Sequence, residues 1–334
     1  MANFSRRELL RHFGRAAVMA GTSAAVIGKR PALAKARSDS GISLALGSGG
    51  ASGLSHIIVL EALEELGIRP SCISGSSIGA LVGALYAAGH DSKTMKEIVT
   101  ELVPEGLAGW LSAAFSKDRI SLIELLKVDI NSGSLFDQDS YGEFLEKKMG
   151  RKKFEDLSIP LLVTATDFWE RIPVVFDSGP VIPSIIASTA LPGVFPPLQY
   201  ENRFLVDGGI ANPVPYDLIM NKGGITIAVE VLGKRKRPEN GMPGYLDLVF
   251  NTFDIMQSNV IRFMRQRCEP DIYLIPPLTG IRTLDFHRAQ EIYDQAAPVK
   301  ESLKRKLDKV YGHGKQPGED IRPAIYTGVL RNKR

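Results

Sequence analysis

Residues 71–85 read Ser71-Cys72-Ile73-Ser74-Gly75-Ser76-Ser77-Ile78-Gly79-Ala80-Leu81-Val82-Gly83-Ala84-Leu85. Ser71–Ser74 has the composition of a short strand. The small-residue run Ile78–Ala88 reads as a helix stopped by Gly89. Between them lies Gly75-Ser76-Ser77-Ile78-Gly79, a G-x-S-x-G on a strand-to-helix turn. A serine that attacks a carbonyl must hold its oxygen clear of the sheet, on a sharp turn of this kind. The flanking glycines, Gly75 and Gly79, let the strand and helix backbones cross closely around it.

The pattern repeats on the N-terminal side. The apolar run Ile42–Leu46 ends in Gly47-Ser48-Gly49-Gly50-Ala51-Ser52-Gly53. Leu54–Leu66 follows with a helical apolar stripe that Gly67 stops. A Gly-rich turn between strand and helix offers backbone N–H groups to an anion. That anion is either a nucleotide phosphate or the oxyanion of acyl transfer. A dinucleotide site would need an acid ending a second strand about 20 residues on, where this chain has Ser71–Ser74 and the serine turn. A nucleotide triphosphate loop would need Gly-Lys-Ser/Thr, which is absent from the turn.

On the C-terminal side, residues 91–150 read as several helices, with turn signals at Pro104, Asn131-Ser132-Gly133 and Gly150. Strand-like runs recur at Leu161–Thr166, Val174–Phe176, Arg203–Val206, Ile225–Val231 and Ile272–Ile275. Helical segments are expected near 181–188, 215–222, 245–265 and 286–311. Such alternation predicts an α/β three-layer sandwich, with a mostly parallel central sheet covered by helices on both faces. A third motif, Val206-Asp207-Gly208-Gly209, puts a carboxylate at the end of a strand. In α/β sheets that position faces the crevice where ligands bind.

Composition is that of a globular protein able to bury a sizeable core. Of 334 residues, 44% are hydrophobic and 23% charged, which excludes disorder, collagen-like repeats and coiled coils. Two cysteines, Cys72 and Cys268, exclude a disulfide framework and a Cys-rich zinc module. Cys72, on a buried strand, reads as a packed thiol. The net charge is +4, yet residues 1–36 alone hold seven Lys/Arg against Glu8, which leaves the remainder at −2. The basic balance is therefore no argument for nucleic acid. No metal-ligand spacing such as H-E-x-x-H appears, so neither a metal nor a cofactor is expected.

Those first 36 residues have the three parts of an export signal: a basic start, the short apolar stretch Ala16–Gly28 and an Ala-x-Ala end. Ser5-Arg6-Arg7-Glu8-Leu9-Leu10-Arg11 is similar to the twin-arginine export signal. The expected organisation is a leader over 1–36, one domain over 37–312 and a basic tail over 313–334. The protein is accordingly expected outside the cytoplasm, periplasmic or secreted.

The kind of serine chemistry depends on the base. A Ser-His-Asp hydrolase with the order Ser, acid, His would call on His287 or His313. Neither follows a strand. His56, on the helix opened by the Gly-rich turn, suits packing or support of that turn.

Taken in order, the Gly-rich turn, the Gly75–Gly79 elbow and Val206-Asp207-Gly208-Gly209 resemble the patatin-like phospholipases, in their bacterial and neuropathy-target-esterase-like branch. Ala187-Ser188-Thr189-Ala190-Leu191-Pro192-Gly193-Val194-Phe195-Pro196-Pro197, Asn212-Pro213-Val214-Pro215 and Asp167 with Val175–Gly179 fit the same branch. The resemblance covers about residues 42–300. It implies a lipid acyl hydrolase, a phospholipase or lysophospholipase-type esterase, working through a Ser-Asp dyad without a catalytic histidine. By matching position, Ser77 is the nucleophile and Asp207 the base. The N–H groups of Gly49, Gly50 and Ala51 would form the oxyanion hole. Gly47, Gly53, Gly75, Gly79, Gly208 and Gly209 are the motif glycines.

Two positions depart from the family pattern. Ser52 and Ile186 stand where basic residues are usual. They motivate a second alternative beside the Ser-His-Asp hydrolase, namely a lipid-binding member of the fold with weakened catalysis. The expected partner is a phospholipid or lysophospholipid, met at a membrane surface. Residues 104–127 contain Leu107, Trp110, Leu111, Phe115, Ile120 and Leu122, which suit either core packing or a cap over the site with Trp110 and Phe115 as interfacial anchors. The oligomeric state has no signature in the sequence.

Overall fold

The chain was analysed as a computed structural model, which describes residues 41–102, 138–220, 222, 224–234, 243–312 and 330–331. The expected cap with Trp110 and Phe115, the leader and His313 lie outside the described residues.

The first elements follow the sequence reading. β1 (Ile42–Leu46) is buried along its whole length. It leads through a 3₁₀ turn at Gly50–Leu54 into α1 (Ser55–Glu65). β2 (Cys72–Ser76) leads directly into α2 (Ile78–Ala87). After α3 (Ser92–Leu102) and α4 (Gln138–Met149) come β3 (Leu161–Asp167), β4 (Ile172–Phe176) and α5 (Val181–Ser188). Next are β5 (Leu198–Tyr200), β6 (Arg203–Asp207) and β7 (Ile225–Val229). The chain then forms α6 (Tyr245–Arg267), β8 (Ile272–Leu274), α7 (Ala289–Ala296), α8 (Val299–Gly312) and the two-residue β9 (Leu330–Arg331).

The strands form one sheet in the order β5-β6-β3-β2-β1-β7-β8, with β4 on β3 and β9 on β4. The pairs β1–β2, β1–β7, β2–β3 and β7–β8 are parallel. On one flank the sheet turns antiparallel, through β3–β4, β3–β6 and β5–β6. Continuous burial of β1, β2 and β3 is what a parallel sheet covered on both faces requires. One face packs Leu44, Leu46, Ile73 and Val163 with α1, α2 and α5. The other packs Ala45, Cys72, Leu162 and Ala228 with Ile261 and Met264 of α6.

Two expectations need correction. The helix expected over 215–222 is a single 3₁₀ turn, Tyr216–Leu218. Pro213 and Pro215 precede it, and the chain is held there by a bond from the Tyr216 hydroxyl to the Cys268 carbonyl at 3.0 Å. The helix expected over 286–311 breaks into a 3₁₀ turn at Phe286–Arg288, then α7, then α8, because Pro298 removes an N–H and clashes with the preceding turn. At the end of the described residues, Leu330–Arg331 pairs in parallel with Val174–Val175 of β4.

Candidate active site

Register brings the serine and the aspartate together. β2 pairs with the first half of β3, its last pair being Ser76 with Thr164. β6 pairs with the second half, and its last residue, Asp207, sits opposite Ala165. β4 overlaps both stretches and so occupies the other edge of β3. The outgoing end of β2 and the outgoing end of β6 therefore meet head to head on one edge, at consecutive positions. The Ser77 hydroxyl donates to Asp207 Oδ2 at 2.5 Å.

Ser77 pays for its position with backbone strain. Its φ of 54° and ψ of −125° form the sharp elbow expected, a geometry that costs about 1–3 kcal/mol in a residue other than glycine. Two features offset this. The Ser77 N–H donates to the hydroxyl of buried Ser188 at 2.8 Å. Ser77 also stands at the N-cap position of α2, at the positive end of the helix dipole, with its hydroxyl turned to Asp207 instead of to the helix amides. Gly79 lets α2 start against β1: a Cβ there would stand 2.2 Å from the Leu46 carbonyl oxygen.

Asp207 is 2% exposed. Its Oδ1 accepts the Gly209 N–H at 2.7 Å, and its Oδ2 accepts Ser77. Burial pushes its pKa up from 3.8 to about 6, and the bonds from Ser77 and Gly209 offset part of that rise. Among the described histidines, His90 bonds the Lys148 carbonyl, His56 bonds the Gly47 carbonyl and His287 lies on the Phe286–Arg288 turn. No imidazole stands between Ser77 and Asp207, which touch directly.

The Gly-rich turn lies beside the elbow. A Cβ on Gly53 would stand 2.1 Å from Ile78 Cγ2, so the turn and the start of α2 are in contact. The Gly47 N–H donates to Val229 O at 3.0 Å and the Ser48 N–H to Pro213 O at 2.8 Å. The Ala51 N–H donates to Thr283 O at 2.8 Å. Of the three amides expected to face an oxyanion, that of Ala51 is thus occupied in this conformation, while those of Gly49 and Gly50 have no hydrogen-bond acceptor among the described residues. Gly50 has φ +57°, and a Cβ on it would stand 2.3 Å from Thr283 O.

Two groups brace this turn: His56, in the supporting place that the sequence suggested, and Gln257, which sequence reading did not foresee. His56, fully buried, lies with Nε2 2.8 Å from the Gly47 carbonyl oxygen. Desolvation lowers its pKa to about 4, so near neutral pH it is the uncharged imidazole donating to that carbonyl. The Ser48 hydroxyl donates to Gln257 Oε1 of α6 at 2.8 Å. A Cβ on Gly209 would stand 2.6 Å from Ser48 Oγ and 2.9 Å from Gln257 Nε2, so Gln257 packs against both the turn and the loop holding Asp207. Ser188 carried a signal in its Ala187–Pro197 motif; Gln257, deep in a helical stripe, carried none. Tyr141 of α4 stacks near Phe195 at 5.3 Å. Burial, together with the Asp207 charge, pushes its phenol up to about 12.

Ser52 is buried, with its carbonyl accepting from the Ser55 hydroxyl at 2.7 Å. Ile186 packs at the edge of the main core. Cys72 and Cys268 are both free thiols, and burial raises the Cys72 pKa. Among the described residues, no group of three His, Cys, Asp or Glu is placed to hold a metal. Among them, too, no helix is long and apolar enough to cross a membrane.

With this geometry in place, comparison with known proteins is informative. The profile of the patatin-like phospholipases matches residues 44–220. An uncharacterized NTE family protein of Mycobacterium bovis is 35% identical over 211 residues, spanning 62% of this chain and 54% of that protein. Human patatin-like phospholipase domain-containing protein 6 is 28% identical over 291 residues, spanning 78% of this chain and 20% of that protein. A lysophospholipase of Candida glabrata is 27% identical over 336 residues, spanning 90% of this chain and 18% of that protein. The chain thus spans about half the length of the first relative and about a fifth of the others. Among solved structures, VipD from Legionella pneumophila is 15% identical with a TM-score of 0.44, over 79% of this chain and 67% of that one. The matched profile runs from β1 past Asp207 and covers more than half of the sequence, so the chain belongs to the patatin-like phospholipase family.

Proposed function

We propose that the protein is a serine lipid acyl hydrolase of the phospholipase or lysophospholipase type, acting through a Ser77–Asp207 dyad. The direct 2.5 Å bond between Ser77 Oγ and Asp207 carries this reading. A free serine hydroxyl is a weak nucleophile and needs a base. Asp207, raised toward pH 6 by burial, is a better base than an exposed aspartate and is still ionised near pH 7.5.

In the forward step Ser77 Oγ attacks the ester carbonyl carbon while its proton moves to Asp207. The charge that develops on the carbonyl oxygen is received by the Gly49 and Gly50 N–H groups, which are already held in place by the turn. The ester C–O bond then breaks, and Asp207 returns the proton to the departing alcohol. Water, deprotonated by Asp207, attacks the acyl-Ser77 carbonyl and releases the fatty acid and free Ser77.

A fluorescent phosphonate probe, combined with a panel of lysophospholipids and short acyl esters, tests the assignment. Wild type should take one label and release acyl groups, whereas Ser77→Ala should do neither and remain folded. Substantial turnover by Ser77→Ala would overturn the proposal.

A further inference from the structure

The outer face of α6 has the composition of a lipid-binding surface. Leu248, Ile255, Met256 and Phe263 are each 49–58% exposed. Their spacing of seven and eight residues places them along one side of the helix. Leu248 to Phe263 spans about 22 Å at 1.5 Å per residue. None of the exposed side chains described on α6 is acidic, since Asp247 and Asp254 are half-buried. Arg265 is paired with Glu269. Arg262 bonds neutral Asn259, and Arg267 lies over the Phe263 ring at 5.5 Å. The face thus sets four exposed apolar side chains among the uncharged Thr252, Asn259 and Gln266, keeps Asp247 and Asp254 partly buried at its margin and is edged with arginine, which fits an interface carrying negative headgroups. Gln257, between Met256 and Phe263 in the chain, points inward to Ser48 of the Gly-rich turn. The helix that presents the apolar stripe therefore also touches the site.

We propose that the outer face of α6 seats the protein on an anionic lipid surface, with the helix itself between that surface and the Gly-rich turn. The choice of lipid as occupant rests on the acyl hydrolase reading. Flotation of the full chain bearing Ser77→Ala with phosphatidylglycerol vesicles and with phosphatidylcholine vesicles tests it. The protein should float with the anionic vesicles and be released by salt. Ile255→Ser with Phe263→Ser should lower the bound fraction at least tenfold. Arg262→Gln with Arg267→Gln should remove the preference for the anionic vesicles. Restored to Ser77, both double variants should hydrolyse a water-soluble short-chain ester at the wild-type rate.

Unchanged flotation of the Ile255→Ser, Phe263→Ser variant would overturn the proposal. So would a wild-type dimer in solution that the same variant converts to a monomer, since the stripe would then be covered by a second copy. The two readings fail separately. Ester turnover that survives Ser77→Ala would sink the hydrolase assignment whatever the vesicles do, and unaltered flotation would sink only the docking face.

Discussion

Two buried carboxylates stand two register positions apart on neighbouring strands, and they have different surroundings. Asp167 ends β3 opposite Leu205, and Asp207 ends β6 opposite Ala165. Each is 2% exposed. Asp167 Oδ1 accepts the N–H groups of Trp169 and Glu170 at 3.1 and 3.0 Å, and the Arg203 guanidinium lies 3.8 Å from its Oδ2. Asp207 has one backbone N–H and one hydroxyl, and among the described residues no cation pairs with it. Burial is shared; neutralisation is not. A buried carboxylate with N–H donors and a guanidinium is a structural anchor for a turn. One with a hydroxyl and an uncompensated desolvation penalty is held ready to accept a proton.

The largest contrast should appear in turnover. Asp207→Asn is expected to lower kcat by about 10²–10⁴-fold, whereas Asp167→Asn should leave kcat within a factor of about two and lower stability by about 1–3 kcal/mol. Equal losses of turnover from the two substitutions would erase the distinction.

The next contrast is in pH. The Asp207 pKa is raised in the fold, from 3.8 to about 6. Its contribution to stability is therefore complete below the unfolded value and is lost as pH rises through the folded one. By pH 8 the ionised form should cost about 3 kcal/mol. Asparagine cannot ionise, so Asp207→Asn should melt above wild type at pH 8, with the gap closing toward pH 4. In wild type kcat/KM should fall below about pH 6, as the base becomes protonated. A pH-independent difference in melting temperature would contradict the role of desolvation.

The smallest effect belongs to the cation. Arg203 is partly exposed and sits 3.8 Å from Asp167, so Arg203→Gln should change stability by about 1 kcal/mol or less and leave the pH profile of turnover in place. A shift of the acidic limb would show that Arg203 also acts on Asp207, 40 residues of sequence but only two register steps from Asp167.

Much of the molecule was legible from local chemistry. Ser71–Ala88 could only be a strand, a tight turn and a buried helix, because Gly75, Gly79 and Gly83 alternate with small apolar residues at those positions. The acid at 207 was visible because a strand-like run ended there before two glycines. Other features depended on distant neighbours. The 3₁₀ turn at Tyr216 is fixed by the carbonyl of Cys268. Ala51 leaves the set of free amides because of the carbonyl of Thr283. Gln257 reaches Ser48 across 209 residues, and nothing in its helical stripe distinguishes it from a core filler.

By itself the sequence determined the element types around the elbow, the glycines those crossings demand, and the positions of a candidate nucleophile and a candidate acid. These follow from backbone sterics and hydrophobic periodicity, which act over a few residues. Only the tertiary structure decided that β2 and β6 share one edge of β3 so that Ser77 meets Asp207, which amides remain unpaired, and that one carboxylate is neutralised while the other is not. Those outcomes depend on strand register and on desolvation, and both are set by residues far away in the chain.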